Sequence, residues 1–463
     1  MTKNLLRTVT ASLIVAASSF AAALASPAQD LFDQATFYLE FQYFGPSKLD
    51  LKTLIGKYQS ELDKACVDAK DTCGYDKAEP LLQQMFADLK DGHAYYQTSE
   101  QAQQERTTAT GVAPSPSPRI GVSMSGFLEA EGERIQIGGI TEEILKAIAE
   151  GKAKLLSNDR LIAKVLPGSP GEKAGVQAGD RFIGYNGVLF SSFTTVPEYA
   201  KYLMAFTDKI RAGESVTMSL LRGPERQKLE ITLKGELINL TDFPQLEIRG
   251  NGVAILRIPT FIVEGVGQRV HDLVREAQAK KATAMVLDMR GNPGGFATER
   301  AIAGGAFIEN PEILRRVPRY NAGTQTTEEG FKDGVYFQRI INGPVIGKLP
   351  VQNPTLWKGP ITVLVDENCG SACEYMAAYF QRSKRGQVVG QITAGVGNTD
   401  SARNSLINGA VAAFPQHLAY WTDGTILPER ITPDVIVENS DAYAIFETGR
   451  DQNLEKAFQV LGL

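Results

Sequence analysis

Histidine is scarce in this chain, with three residues in 463, so an imidazole of any function must be His93, His271 or His417. Cysteine is nearly as rare: four residues form two close pairs, and no CxxC or Cys/His set has zinc spacing, so neither a metal nor another cofactor is expected. Positive charge is not in excess. A net charge of −5 gives no electrostatic case for nucleic acid, and no basic run points to a membrane surface. Long apolar runs are missing beyond the N-terminus, so no integral membrane anchor is expected.

What is present is ordinary globular protein, 43% hydrophobic and 22% charged, long enough for about three domains. Met1 to Ala25 carries Lys3, Arg7, an apolar stretch and an Ala-Leu-Ala end, the pattern of a secretory signal peptide. Export, periplasmic or extracellular, makes disulfides possible. Cys66 and Cys73 enclose a short polar loop and read as a structural bridge. Cys369 and Cys373 either bridge across a turn, or Cys373 serves as a small apolar residue on a buried helix face.

The chemistry concentrates in Ile361 to Gln381. Ile361 to Val365 is a β-branched run suited to a buried strand, and Ala372, Met376, Ala377 and Phe380 recur at helical spacing. Ser371 falls at the helix start, where free N–H groups and the helix dipole favour negative charge. Ser371 with Glu374 is equally a capping box. A second buried strand, Ala282 onward, ends in DMRGNPGG, a turn whose backbone can approach a ligand closely.

Together DMRGNPGG and GSACE resemble the C-terminal processing (tail-specific) family of serine peptidases, in the family's order along the chain. The resemblance implies Ser371 as nucleophile, with an oxyanion hole from the N–H groups of Gly294 or Gly295 and of Ala372. It also implies a crotonase-like α/β core. The larger branch of the family uses a Ser/Lys dyad, but the lysine position here is Val396, and Lys384 lies on the wrong side of the strand. LKDGHAYY looks like the motif by which the tricorn-like branch supplies a histidine base, which points to His93. Glu429 in TILPERITPDV is the implied third group, with Glu438 and Asp434 as rivals. His271 and His417 carry no motif and read as structural.

Arg119 to about Gly235 resembles a PDZ domain. RIGV, Arg119, Ile120, Gly121 and Val122, matches its carboxylate-binding loop, and an extended peptide would add as a strand there. Ser123 to Asp159 reads as an insertion containing a helix.

The expected organisation is a signal peptide over 1–25, an N-terminal helical region over 26–105, a PDZ-like domain over 116–236 and a serine peptidase core over 237–463. Gln97 to Pro118, polar and then Pro/Ser-rich, reads as an exposed linker. The fold class is α/β with a β-rich PDZ domain inserted. The expected function is an exported serine endopeptidase cleaving polypeptide tails or unfolded proteins. The other reading is an inactive pseudo-peptidase that binds C-terminal peptides as an adaptor. In both, the partner is a polypeptide.

Overall fold

The computed structural model describes residues 25–45, 48–109, 117–166, 168–238, 243–320, 325–438 and 440–463, without the side chains of 105–109. The expected signal peptide and most of the Pro/Ser tract lie outside these residues. No helix among the described residues is long and apolar enough to cross a membrane.

Three helices open the described chain: α1 (Pro27–Gln42), α2 (Leu51–Ala65) and α3 (Tyr75–Asp88). Leu31, Phe32, Ala35 and Leu39 recur every three or four residues and are buried together on α1. Ser26 caps this helix by accepting the Gln29 N–H. A Cys66–Cys73 bridge closes the connection between α2 and α3. After the turn that holds His93 comes β1 (Tyr95–Gln97). The expected linker is in fact helical at its start, as α4 (Ser99–Ala109), because Ala102 is buried against Val411 and Ala413 and anchors an otherwise polar helix.

The PDZ region comprises β2 (Val122–Ala130), β3 (Glu133–Ile137), α5 (Glu142–Ala149), β4 (Ala153–Leu155), β5 (Arg160–Val165) and α6 (Pro170–Lys173). It continues through β6 (Arg181–Tyr185), β7 (Val188–Leu189), α7 (Val196–Arg211), β8 (Ser215–Arg222) and β9 (Gln227–Lys234). The strands follow the order β3-β2-β5-β6-β8-β9, and Phe182, Tyr185, Phe206 and Met218 form the core beneath α7. The expected insertion is therefore more strand than helix, holding most of β2 with β3 and β4, and α5 is its one regular helix. β3 pairs only with Gly126–Ala130, so the edge of Val122–Ser125 opposite β5 has no strand partner among the described residues.

The remaining elements build the core: β10 (Gln245–Ile248), β11 (Val253–Arg257), α8 (Val266–Ala279), β12 (Ala284–Asp288), α9 (Ala297–Gly305), β13 (Leu314–Pro318) and β14 (Thr327–Lys332). Then follow β15 (Val335–Ile340), β16 (Val345–Pro350), β17 (Ile361–Val365), α10 (Ala372–Ser383), β18 (Gln387–Gly390), β19 (Ser401–Ser405) and β20 (Val411–Pro415). β21 (His417–Trp421), β22 (Val435–Ile436), α11 (Ala442–Thr448) and α12 (Gln452–Val460) close the chain.

The central sheet runs β10-β11-β12-β17-β18-β22, parallel except for β10. β12 and β17 are buried at every position because both faces are covered. Met285, Leu287 and Val363 face α8 and α10, while Val286 and Leu364 face α12. A five-stranded antiparallel sheet, β16-β15-β14-β13-β21, packs beside it.

The N-terminal helices do not form a core of their own. Leu31, Leu82 and Phe86 share one with Leu406, Ala412 and Phe414, and β1 pairs with β20 in a β1-β20-β19 sheet. This pairing carries His93 from one end of the sequence to the strands that follow the Ser371 helix. The PDZ domain is tied at another point, where Phe446 of α11 packs on Phe127 and Leu161. Phe86→Ala should cost about 3–5 kcal/mol of stability, read as a lowered thermal midpoint.

Candidate active site

Ser371 stands between β17 and α10 at φ 51°, ψ −117°. A side chain there is strained, and such strain persists only where surroundings over-determine it. Glu374, 1% exposed, supplies part of that determination. Its carboxylate accepts from the Ser371 N–H (2.9 Å), the Thr393 hydroxyl (2.6 Å), the Gly395 N–H (2.7 Å) and the Val396 N–H (3.0 Å). Burial raises the Glu374 carboxyl above its ordinary value against these bonds, which favour the charged form. The cysteines that flank the serine, Cys369 and Cys373, are bridged, so the open alternative between bridge and free thiol resolves to the bridge.

The DMRGNPGG loop crosses this turn. Gly370 donates to the Asn292 carbonyl (3.0 Å), and Gly291 donates to Asp366 (2.9 Å). Asp288 anchors the loop from below with Arg257 and Arg290. Burial opposes its ionisation, but the two guanidinium groups more than offset this and hold its carboxyl well below the usual range. Gly294, at φ 99°, lies so close that a Cβ on it would be 2.8 Å from Ser371 Cβ and 2.9 Å from the Ala372 nitrogen. Its own N–H, however, donates to Asn292 Oδ1 (2.8 Å). The N–H groups of Gly295 and Ala372 have no hydrogen-bond partner among the described residues.

One side chain joins the histidine segment to the serine segment. A Cβ on Gly92 would lie 2.6 Å from one methyl of Val396, and a Cβ on Gly370 would lie 3.2 Å from the other. The residues preceding His93 and Ser371 thus meet the same valine, at the position where a lysine would stand in the Ser/Lys branch. The His93 Nδ1 atom is buried without a hydrogen-bond partner among the described residues. Burial lowers the His93 pKa, while Asp91 and Asp400 raise it.

The other sequence-derived positions fall as follows. Glu429 is exposed and meets the Val396 loop through its carbonyl, which accepts the Gly397 N–H (2.7 Å). Asp434 is engaged with Gln381 and the Val388 N–H. Lys384 caps the far end of the 12-residue α10, about 18 Å from Ser371. His271 is fully buried, its ring nitrogens bonded to the backbone of Thr355 and Ile302. His417 lies 3.8 Å from Asp400. In the PDZ loop the Arg119 N–H pairs with Glu236, whereas those of Ile120 and Gly121 have no partner among the described residues, and Val122 pairs with Val165.

A strained serine on a strand-to-helix turn above a mixed α/β sheet, with a PDZ domain attached, defines a recognisable class of architecture. Residues 252–437 match the model of peptidase family S41, and residues 161–222 match that of the PDZ domain. Among curated relatives, the carboxy-terminal processing protease CtpA of Bacillus subtilis is 24% identical over 265 residues, 57% of this chain and 50% of that protein. The tail-specific protease of Haemophilus influenzae is 24% identical over 248 residues, 52% of this chain and 32% of that one. The chain thus spans half or less of the length of these two relatives. A solved structure titled as a putative S41 protease from Bacteroides fragilis shares the fold, with TM-score 0.52, 14% identity, and coverage of 93% of this chain and 97% of that one.

Sequence reading saw Glu374 only as a helix cap and passed over Asp400 and Asn292. Asn292 stood inside a quoted motif, but Asp400, in GVGNTDS, has no local pattern that sets it apart from a solvated loop acid. Glu374→Gln would present one carbonyl to four donors. Stranding donors should cost about 1–3 kcal/mol each, visible as a lower thermal midpoint together with slower reaction of Ser371 toward a serine-directed phosphonate.

Proposed function

We propose that the chain is an exported serine endopeptidase that cleaves polypeptide tails or unfolded proteins, with Ser371 as nucleophile and His93 as general base. The observation that carries this reading is the Val396 side chain, which fills the space that a Cβ on either Gly92 or Gly370 would enter. Valine cannot act as the base, and the histidine segment stands beside the serine segment at that point. Neutral His93 takes the hydroxyl proton as Ser371 attacks the scissile carbonyl, and its imidazolium returns that proton to the leaving amine. The tetrahedral oxyanion is held by the N–H groups of Gly295 and Ala372 at the positive end of α10. Gly294, with its N–H committed to Asn292, acts by close backbone packing. Glu429 is the carboxylate that the family resemblance implies for orienting the base.

The PDZ domain takes the substrate end. Ile120 and Gly121 offer N–H groups to a terminal carboxylate, flanked by Arg119, and the open edge from Val122 admits an added strand. The names of the curated relatives support a tail as substrate, and two disulfides support an oxidising compartment outside the cytoplasm.

Burial lowers the His93 pKa against the opposing pull of Asp91 and Asp400, which favours the neutral base. Hydrolysis of an unfolded protein should rise with pH through one ionisation below the ordinary imidazole value of about 6.5 and stay level above it. His93→Ala should lose at least about a hundredfold in turnover, and Ser371→Ala all of it along with phosphonate labelling. Turnover by Ser371→Ala would overturn the assignment, and a wild-type chain that binds tails but neither cleaves nor labels would be an adaptor.

A further inference from the structure

Building on the Ser371 and His93 reading, we propose that Asp400 is the positioning residue for the base: its carboxylate accepts the His93 Nδ1 proton and leaves Nε2 free to face Ser371. Ser401 donates to the His93 carbonyl at 2.6 Å, which lays the Asp400 segment along the histidine backbone. Nδ1 atoms of His93 and His417 are both buried without a hydrogen-bond partner among the described residues, and Asp400 Oδ1 stands 3.8 Å from the second of them.

The carboxylate is held in place from its other side. Asp400 Oδ2 accepts from Arg316 (2.6 Å), Arg316 also pairs with Glu329 (3.1 Å), and Glu329 is locked by buried Arg300. This ionic chain runs from β13 through the neighbouring β14 to α9, so Asp400 is fixed by groups far from it in sequence. Burial opposes its ionisation, but Arg316, His417 and His93 more than offset this and keep it charged.

Two acids face His93 electrostatically, Asp91 and Asp400. Both oxygens of Asp91 are engaged, one by the His93 backbone N–H (2.9 Å) and the other by the Tyr43 hydroxyl (2.8 Å). Among the described residues Oδ1 of Asp400 has no comparable bond, with His417 at 3.8 Å. Around Asp400 the remaining titratable groups are Arg316, His417 and Tyr375. Glu429, exposed and joined to the site by its backbone, is the weaker claimant. A bond from Nδ1–H to a carboxylate selects the tautomer that general-base chemistry needs, and such bonds are commonly long before substrate closes the site.

The test compares Asp400→Asn, Glu429→Gln and His93→Ala in the full chain through the pH profile of kcat/KM. Losing the carboxylate makes imidazolium less favourable, so Asp400→Asn should lower the plateau at least about tenfold and move the acid limb about one pH unit downward. A limb that moves in Glu429→Gln and stays in place in Asp400→Asn would give the orienting role to Glu429 and overturn the assignment of Asp400. A limb and plateau unchanged in Asp400→Asn, with His93→Ala inactive, overturn the assignment of Asp400 alone; full activity in His93→Ala overturns the base itself. Should Asp400→Asn unfold because Arg316 loses its partner, nitrogen NMR of the histidines in Ser371→Ala decides the matter. Protonated Nδ1 on His93 above its pKa supports the proposal, and protonated Nε2 overturns it.

Discussion

A single buried carboxylate organises the site. Glu374 gathers four donors from two separated segments, the Ser371 turn and the loop from Thr393 to Val396. Four good hydrogen bonds offset the cost of its burial, and none could be removed without exposing an unpaired buried polar group to a dry environment. The bond to the Ser371 N–H stabilises a backbone conformation that an L-residue resists. The bonds to Gly395 and Val396 set the valine that both the histidine and serine segments touch.

The sheet explains why strain can be held there. β12 and β17 are parallel neighbours, buried at every position, and their C-terminal ends release the DMRGNPGG loop and the serine turn side by side. Cross-bonds from Gly370 to Asn292 and from Gly291 to Asp366 stitch the two, and the Cys369–Cys373 bridge spans the serine itself. A rigid layer below and several ties above leave the turn little freedom, which is the condition for preorganised oxyanion donors. The third contribution arrives from the far end of the sequence. Aromatic packing of Phe86 and Tyr43 on Phe414, with the β1–β20 pairing, delivers the DGH turn to the same place.

Much of this was legible locally. The apolar run of β17, the helical spacing of α10 and the periodic faces of α1 to α3 appear in the sequence because burial imposes a period that survives without tertiary information. The PDZ strands were partly hidden: Ser123 to Ala130 mixes polar and small residues, so a strand read as an insertion. The helix α4 was hidden for a related reason, since one buried alanine among polar residues makes no visible face. Asp400 was invisible because its meaning depends on Arg316, Glu329 and Arg300, which reach it across strands distant in the chain.

By itself, the sequence determined the α/β class, the serine at a strand-to-helix turn, the absence of a lysine at position 396 and the resemblance that singled out His93. These rest on local periodicity and on motifs whose residues act close to one another. Tertiary structure alone decided that the N-terminal helices share a core with β20 and the turn before it, that the two flanking cysteines are bridged, that Gly294 has already spent its N–H on Asn292, and that Asp400 pairs with Arg316 and lies 3.8 Å from His417. Each of these depends on distances and angles between segments remote in sequence, and hydrogen bonds and ion pairs, falling off over a few ångströms, leave no periodic trace in the order of residues.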